Sequence, residues 1–192
     1  SLHLMELNGL NPKSGPILVT SATGGAATIA IDILSNRGYE VVAMTGKESE
    51  VDFLKSLGAQ TIVPRFNPNE EKIKPLEKAQ WAGAIDSVGG STLAYLTRTM
   101  LQNGVIAAFG NAGGMELNTS VLPFILRGVR LLGINAASPM ETRQEIWGKI
   151  ATTYKPFHLQ EIAEIINLDE IGDYMDRSLE GKIRGRTVIK MD

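Results

Sequence analysis

The sequence predicts an α/β fold: a Rossmann-type, doubly wound parallel sheet of six strands with helices on both faces. Between residues 15 and 134, strand-like apolar runs alternate with helical patterns, and the connections between them are mostly a few residues long. Runs such as "GPILVTSA" have the pattern of a buried strand, as expected where helices cover both faces of a parallel sheet. Because crossovers between parallel strands are right-handed, the doubly wound arrangement is the natural topology.

Each predicted element follows from its local pattern. A short helical stripe over residues 1–10 ends at Asn11-Pro12, and apolar residues from Ala26 to Leu34 recur at helical spacing until Asn36-Arg37-Gly38 ends that helix. Strands are predicted within residues 15–22, 39–44, 60–64, 81–90, 104–110 and 129–134, and further helices over 48–57, 92–101 and 120–128. Charged residues and prolines make 65–80 a surface connection with room for one short helix.

The pattern changes after residue 135. Helices are predicted over residues 140–154, 158–166 and 171–179, followed by a lone strand in "RTVIKM", residues 186–191, with no obvious partner in the first sheet. We therefore expect an N-terminal helix in residues 1–14, a doubly wound domain in 15–157 and a separate C-terminal segment in 158–192.

Composition excludes several classes of function. The 192 residues carry a net charge of −2, which argues against a nucleic-acid surface. The absence of cysteine excludes disulfides, thiolate zinc sites and cysteine nucleophiles, and the two histidines, His3 and His158, lack ligand spacing, so no metal site is expected. The first residues do not resemble a signal peptide, and no apolar run approaches the roughly 20 residues that span a bilayer. We expect a cytoplasmic protein with no membrane partner.

The turn after the first strand is a candidate phosphate-binding site. The register Ala22-Thr23-Gly24-Gly25-Ala26-Ala27 follows the dinucleotide fingerprint G-x-G-x-x-G/A, except that alanine replaces the first glycine. That alanine is tolerable if its φ is negative, and backbone N–H groups of Thr23 to Ala26 would then meet an anion at a helix N-terminus. The alternative is a plain strand-to-helix corner that binds nothing.

The end of the second strand favours NADPH over NADH. NAD-binding folds place an Asp or Glu at this point to hold the ribose hydroxyls, whereas this chain has Thr45-Gly46-Lys47. A hydroxyl, a flexible backbone and a cation suit a 2′-phosphate, which a carboxylate would repel. The alternative is a solvated lysine on a loop.

Four stretches carry a resemblance to a known family: "ILVTSATGGAATIAIDIL", "GYEVVAMTGKESEVDFLKSLGA", "PLEKAQWAGAIDSVGG" and "VLPFILRGVRLLGI". With them, the whole chain resembles zinc-free medium-chain dehydrogenase/reductases, in particular the acrylyl-CoA reductase branch of the quinone-oxidoreductase-like enzymes. The resemblance implies NADPH as cofactor and hydride delivery to a C=C bond conjugated to a carbonyl, in an acrylyl-CoA, enoyl-CoA or quinone-like substrate.

The resemblance also implies the cofactor contacts. The pyrophosphate would face Thr23, Gly24, Gly25 and Ala26, and the 2′-phosphate would face Thr45, Gly46 and Lys47. Arg65 would lie at the adenosine end, and Asn111 and Ile125 at the nicotinamide side. Each of these last three also has a plainer interpretation: Arg65 as a loop cation, Asn111 as a turn former and Ile125 as a core residue. The chain departs from the family pattern at Ser21, Ala27, Asn111 and Ala136.

The family's GroES-like catalytic domain is absent from these residues, and the resemblance implies that the segment from about 168 returns to it. We therefore assign no catalytic acid, base or nucleophile. A Tyr-x-x-x-Lys pair, which a short-chain dehydrogenase would need, is also absent. The competing hypothesis is a non-catalytic module for nucleotide binding or dimerisation, since the strand at 129–134 could pair with its twin across a twofold axis.

Overall fold

A six-stranded parallel sheet organises the molecule. The computed structural model describes residues 1–69 and 74–191. Within them, the main sheet has the strand order β3-β2-β1-β4-β5-β6, and every neighbouring pair is parallel. Its strands are β1 Ile17–Val19, β2 Val41–Thr45, β3 Thr61–Pro64, β4 Trp81–Asp86, β5 Met100–Ala108 and β6 Arg130–Gly133. This is the doubly wound order, so the predicted fold class is confirmed.

Helices cover the sheet and lead into a C-terminal unit. They are α1 Leu2–Leu7, α2 Gly25–Asn36, α3 Val51–Ser56, α4 Gly90–Thr99, α5 Leu122–Arg127, α6 Met140–Ala151, α7 Leu159–Ile162 and α8 Ile171–Leu179. Single 3-10 turns, Glu48–Glu50 and Leu168–Glu170, precede α3 and α8. Of the predicted surface connection, residues 65–69 and 74–80 contain no helix, and 70–73 lie outside the described residues.

The core lies on both faces of the sheet. Ile17 and Val19 of β1 belong to the cluster that includes Ile31 and Leu34 of α2, whereas Leu18 belongs to the cluster on the other face. The β2 side chains alternate in the same way, and all five β2 residues are buried. A strand buried on both faces needs apolar residues at every position, which is why these runs show no alternation.

The prediction of a lone C-terminal strand was wrong. The strand β8 Arg186–Lys190 pairs in parallel with β7 Ala163–Asn167, a stretch predicted to be helical. Leu159, Ile162 and Ile166 have helical spacing, but the helix ends at Ile162. The β-branched pair Ile165-Ile166 favours a strand once a partner offers backbone hydrogen bonds.

Another predicted boundary was also wrong. The helix predicted over 92–101 ends at Thr99, and β5 begins at Met100 rather than Gly104.

None of the helices in residues 1–69 and 74–191 has both the length and the apolar composition of a membrane span.

Candidate functional site

The glycine turn joins β1 to α2 at the carboxyl edge of the sheet. Ser21 has φ +48°, in the left-handed region, and its carbonyl accepts a 2.8 Å hydrogen bond from the Gly24 N–H. Ala22 is buried and lies outside the positive-φ residues, so the condition set for an alanine at the first fingerprint position is met. The positive φ that the fingerprint's first glycine usually allows is adopted here by Ser21, one position before Ala22.

The first turn of α2 has backbone donors that lie outside the helix's own hydrogen bonds. The first hydrogen bond of the helix runs from the Thr28 N–H to the Gly24 carbonyl, so the N–H groups of Gly25, Ala26 and Ala27 precede it. No side chain caps this helix. At the N-terminus of a 12-residue helix without a side-chain cap, such donors and the helix dipole favour a bound anion. The sequence predicted that the N–H groups of Thr23 to Ala26 would meet an anion. The Gly24 N–H donates to the Ser21 carbonyl instead, so it is removed from that group.

The end of β2 brings the predicted cations together. The Lys47 N–H donates to the Thr45 hydroxyl at 3.0 Å, which ties the two residues into one turn. Gly46 lies against the Arg65 guanidinium, since a Cβ at position 46 would be 3.6 Å from Arg65 Nε. Two cationic side chains thus flank one exposed glycine.

Residues 183–186, which we name the C-terminal strap, run directly past both turns. The Lys47 ammonium donates to the Ile183 carbonyl at 2.8 Å, and the Gly185 N–H donates to the Thr23 carbonyl at 2.8 Å. A Cβ on Gly25 would lie 2.7 Å from the Gly185 carbonyl and 2.9 Å from the Arg186 guanidinium carbon. Gly25 is therefore required for the strap to approach, and it places an arginine at the open end of α2.

A buried carboxylate supports the neighbouring turn. Asp86, fully buried at the end of β4, accepts hydrogen bonds from the Thr20 hydroxyl at 2.7 Å and from the Val88 and Gly89 N–H groups. The Thr20 hydroxyl in turn accepts from the Ser87 N–H. These bonds connect the ends of β1 and β4, so the turns that follow the two strands have fixed relative positions.

Two cavities adjoin the carboxyl edge. One of about 450 Å³ lies beside Phe66, which stacks on Tyr95, and beside Gly90 and Ser91 at the start of α4. The other, of about 460 Å³, lies between α2 and α6, and its lining includes Ala26, Ile134, Asn135 and Ala136. The glycine turn contributes Ala26 to the second cavity, and it adjoins the end of β2. Arg65, which lies against Gly46 at that end, directly precedes Phe66, which lines the first cavity.

The remaining two predicted site residues are placed differently. Asn111 is exposed in the loop after β5, where a Cβ on Gly89 would lie 3.1 Å from its Cα, so it belongs to the carboxyl edge. Ile125 lies on the short helix α5, whose Arg127 donates to carbonyls of Arg98 and Met100 where β5 begins. The structure therefore does not bring Ile125, 68% exposed, to the other predicted residues.

Sequence reasoning missed the strap. The stretch "KIRGRT" contains two arginines around one glycine, a basic signal of the kind that binds phosphate, but it was expected to leave this domain. It also missed Asp86 and the cavity residues Ile134 and Asn135. Only the folded structure brings residues 183–186 next to residues 23–25.

The described residues do not form a metal centre. Among residues 1–69 and 74–191, no group of three His, Asp or Glu side chains is placed to hold an ion.

Known proteins resemble this chain over its whole length. Acrylyl-CoA reductase AcuI of Ruegeria pomeroyi is 40% identical over 98% of the chain. A crystal structure of the YhdH oxidoreductase from Salmonella enterica in complex with NADP superposes with a TM-score of 0.93 at 38% identity, over 100% of the chain. The Bacillus subtilis protein YhfP with NAD bound gives a TM-score of 0.93 at 41% identity, over 99% of the chain.

The chain spans only part of these relatives: 57% of AcuI, 59% of the YhdH chain and 58% of the YhfP chain. The family described as zinc-binding dehydrogenase matches residues 25–152, which include α2, the tip of β2 and the loops after β4, β5 and β6. These relatives confirm the resemblance to oxidoreductases of the acrylyl-CoA reductase type, whereas the zinc-free character stays a prediction. The chain belongs to the zinc-binding dehydrogenase family.

Proposed function

We propose that this chain binds NADPH as the cofactor domain of an oxidoreductase that reduces a C=C bond conjugated to a carbonyl. The observation that carries the proposal is the convergence of the open α2 N-terminus, Lys47 and Arg186 at one edge of the sheet. Backbone donors and two cations suit a pyrophosphate and a 2′-phosphate. The relatives solved with NADP and with NAD support a dinucleotide in this site.

The proposed cofactor runs along the carboxyl edge. Its pyrophosphate meets Gly25, Ala26 and Arg186, and its 2′-phosphate meets the turn Thr45-Gly46-Lys47. Adenosine lies beside Arg65 and the adjoining cavity at Phe66, and the nicotinamide end lies toward Asn111 and the cavity floor at Ile134 to Ala136. Thr23 and Gly24 shape the turn, and Ile125 is left out of this proposed site.

The cofactor supplies the chemistry, which is hydride transfer. This chain's residues bind and orient it: they hold both phosphate groups and thereby fix where the nicotinamide lies. We assign no catalytic acid, base or nucleophile to these residues, and no zinc. An acrylyl-CoA or quinone-like substrate is supported by the AcuI relative and by the family resemblance. The proposed boundaries are 1–14, 15–157 and 158–192, and the proposed location is cytoplasmic.

We also propose a homodimer that forms through β6. This strand lies at the edge of the main sheet, so one of its sides has unpaired backbone groups. The nearby side chains Val121, Ile125 and Leu126 are more than half exposed, which supports an apolar contact between copies.

The nucleotide proposal is tested by substitution of Lys47. We expect the chain to bind NADPH more tightly than NADH, and Lys47→Glu to abolish that preference by replacing a cation with a charge that repels the 2′-phosphate. Hydrogen bonds to charged groups contribute about 1.5–3 kcal/mol, so we expect NADPH affinity to fall about 10- to 100-fold. Isothermal titration of both nucleotides measures this.

The matched control is Lys55→Glu, the same change of charge at an exposed position on α3. It should leave both dissociation constants near those of the native chain. If the native chain binds neither nucleotide at millimolar concentration, the cofactor role is wrong, and a non-catalytic dimerisation module becomes the better description.

A further inference from the structure

The C-terminal strap, residues 183–186, connects different parts of the proposed phosphate site through consecutive residues. Ile183 accepts from Lys47, Gly185 pairs with the glycine turn, and Arg186 lies against Gly25. The remaining strap residue is Arg184, whose ion pair and ring contact involve Glu50 and Phe53. These contacts lie on the segment that follows Lys47.

Arg184 is held between a carboxylate and an aromatic ring. Its guanidinium forms a 3.0 Å ion pair with Glu50, and its Cζ lies 4.3 Å from the centroid of the Phe53 ring. Glu50 ends the 3-10 turn that begins directly after Lys47, and Phe53 lies on α3. We name this arrangement of Arg184 between Glu50 and Phe53 the clamp. It joins the strap to the segment that directly follows Lys47.

The consequence for Lys47 follows from its chemistry. A lysine ammonium on a flexible four-carbon stem loses rotational freedom when it binds a phosphate. Since the Ile183 carbonyl accepts one of its three N–H groups, the side chain is already oriented and two donors stay available. The carbonyl belongs to the residue next to Arg184, so its position depends on the clamp.

We propose that Arg184 is a positioning residue for NADPH selectivity: clamped by Glu50 and Phe53, it holds the strap so that the Ile183 carbonyl orients Lys47 toward the 2′-phosphate. Arg184 itself does not touch the cofactor. The inference rests on the proposed function, because it assumes that Lys47 binds that phosphate.

Arg184→Ala tests the clamp, with isothermal titration of NADPH and NADH on the full 192-residue chain. Loss of a pre-oriented side chain predicts NADPH binding weaker by about 3- to 10-fold. NADH has no 2′-phosphate, so its dissociation constant should change less and the NADPH/NADH preference should fall. A structural role without selectivity would weaken both nucleotides equally, and that result would overturn the inference.

Two further variants sharpen the test. Glu50→Gln should reproduce the loss of preference, and the double variant should be no worse than either single one, because all three break the same clamp. Lys182→Ala removes a neighbouring cation that forms an ion pair with Glu180, outside the clamp, so it should leave the preference unchanged. An equal loss in Lys182→Ala would show that net charge, and not positioning, is responsible.

The two proposals fail differently. If Lys47→Glu abolishes the preference while Arg184→Ala, with native thermal stability, leaves both dissociation constants unchanged, the positioning role is wrong and the cofactor role stands. If the native chain shows no preference for NADPH, the proposed 2′-phosphate site fails, and the role of Arg184 fails with it.

Discussion

At the scale of single residues, the glycine turn that we propose to bind the pyrophosphate contains one residue, Ser21, with a strained backbone. Ser21 adopts φ +48°, a conformation that residues other than Gly, Asn and Asp rarely adopt. The side chain is exposed, so no buried contact compensates for this conformation. The fingerprint expects glycine near this point, and the reason is visible in the backbone: the chain must reverse direction before Gly24.

We expect Ser21→Gly to stabilise the protein by about 0.5–1 kcal/mol, because relief of the left-handed strain exceeds the added flexibility of the unfolded chain. For a chain of this size, this corresponds to a rise in Tm of roughly 1–4 °C by scanning calorimetry. Ser21→Ala is the control, since it removes the hydroxyl and keeps the Cβ. A similar gain in both variants would rule out backbone strain as the cause.

At the scale of elements, the sequence predicted two strands with an unpaired edge, β8 and β6, and the structure treats them differently. The strand β8 finds its partner in β7 of the same chain, whereas β6 keeps an open edge. An unpaired strand edge offers backbone groups to a second chain, so β6 is the element through which the proposed dimer would form.

We expect the native chain to sediment as a dimer at micromolar concentration, and Gly133→Lys to shift it to a monomer. Gly133 lies in β6, and a Cβ there meets nothing within 4 Å, so the folded subunit tolerates the side chain. A lysine on an edge strand opposes pairing between copies. Gly148→Lys on α6 adds the same charge where a Cβ also has open space, and it should leave the dimer intact. A native chain that sediments as a monomer would contradict the dimer.

At the scale of the whole molecule, one carboxylate links distant parts of the chain. Glu6 of α1 accepts hydrogen bonds from Arg37 at 3.2 Å, Tyr39 at 2.9 Å and Tyr154 at 2.6 Å. Burial raises the pKa of Glu6, but these hydrogen bonds outweigh it, and the pKa lies below its ordinary value. Burial and the bond to Glu6 raise the pKa of Tyr154 to about 12.

We expect Glu6→Gln to lower the free energy of unfolding by about 1–3 kcal/mol at pH 7. Because the folded state lowers the pKa of Glu6, its contribution is present above the ordinary value of 4.5 and is lost as the pH falls through the lowered pKa. The difference between the two proteins in urea unfolding should therefore shrink below pH 4.5. Glu40→Gln, at an exposed position, is the control. A difference that stays constant from pH 7 to acid would contradict this linkage.

The alkaline side has the opposite sign. The raised pKa of Tyr154 means that the unfolded chain loses this proton first, so the contribution of Tyr154 is complete below pH 10 and is lost as the pH rises toward 12. The same urea measurements at alkaline pH check this part of the linkage.

The sequence by itself determined the doubly wound sheet, because strands buried on both faces must be apolar at every position and crossovers have one hand. It also predicted the glycine turn and Lys47 as phosphate-binding elements, since such binding would depend on local backbone and charge. Only the tertiary structure decided the pairing of β7 with β8, the position of Ile125, the contacts of Arg184 with Glu50 and Phe53, and the place of Arg186 beside Gly25. Those outcomes depend on contacts between residues more than 20 positions apart, which no local pattern encodes.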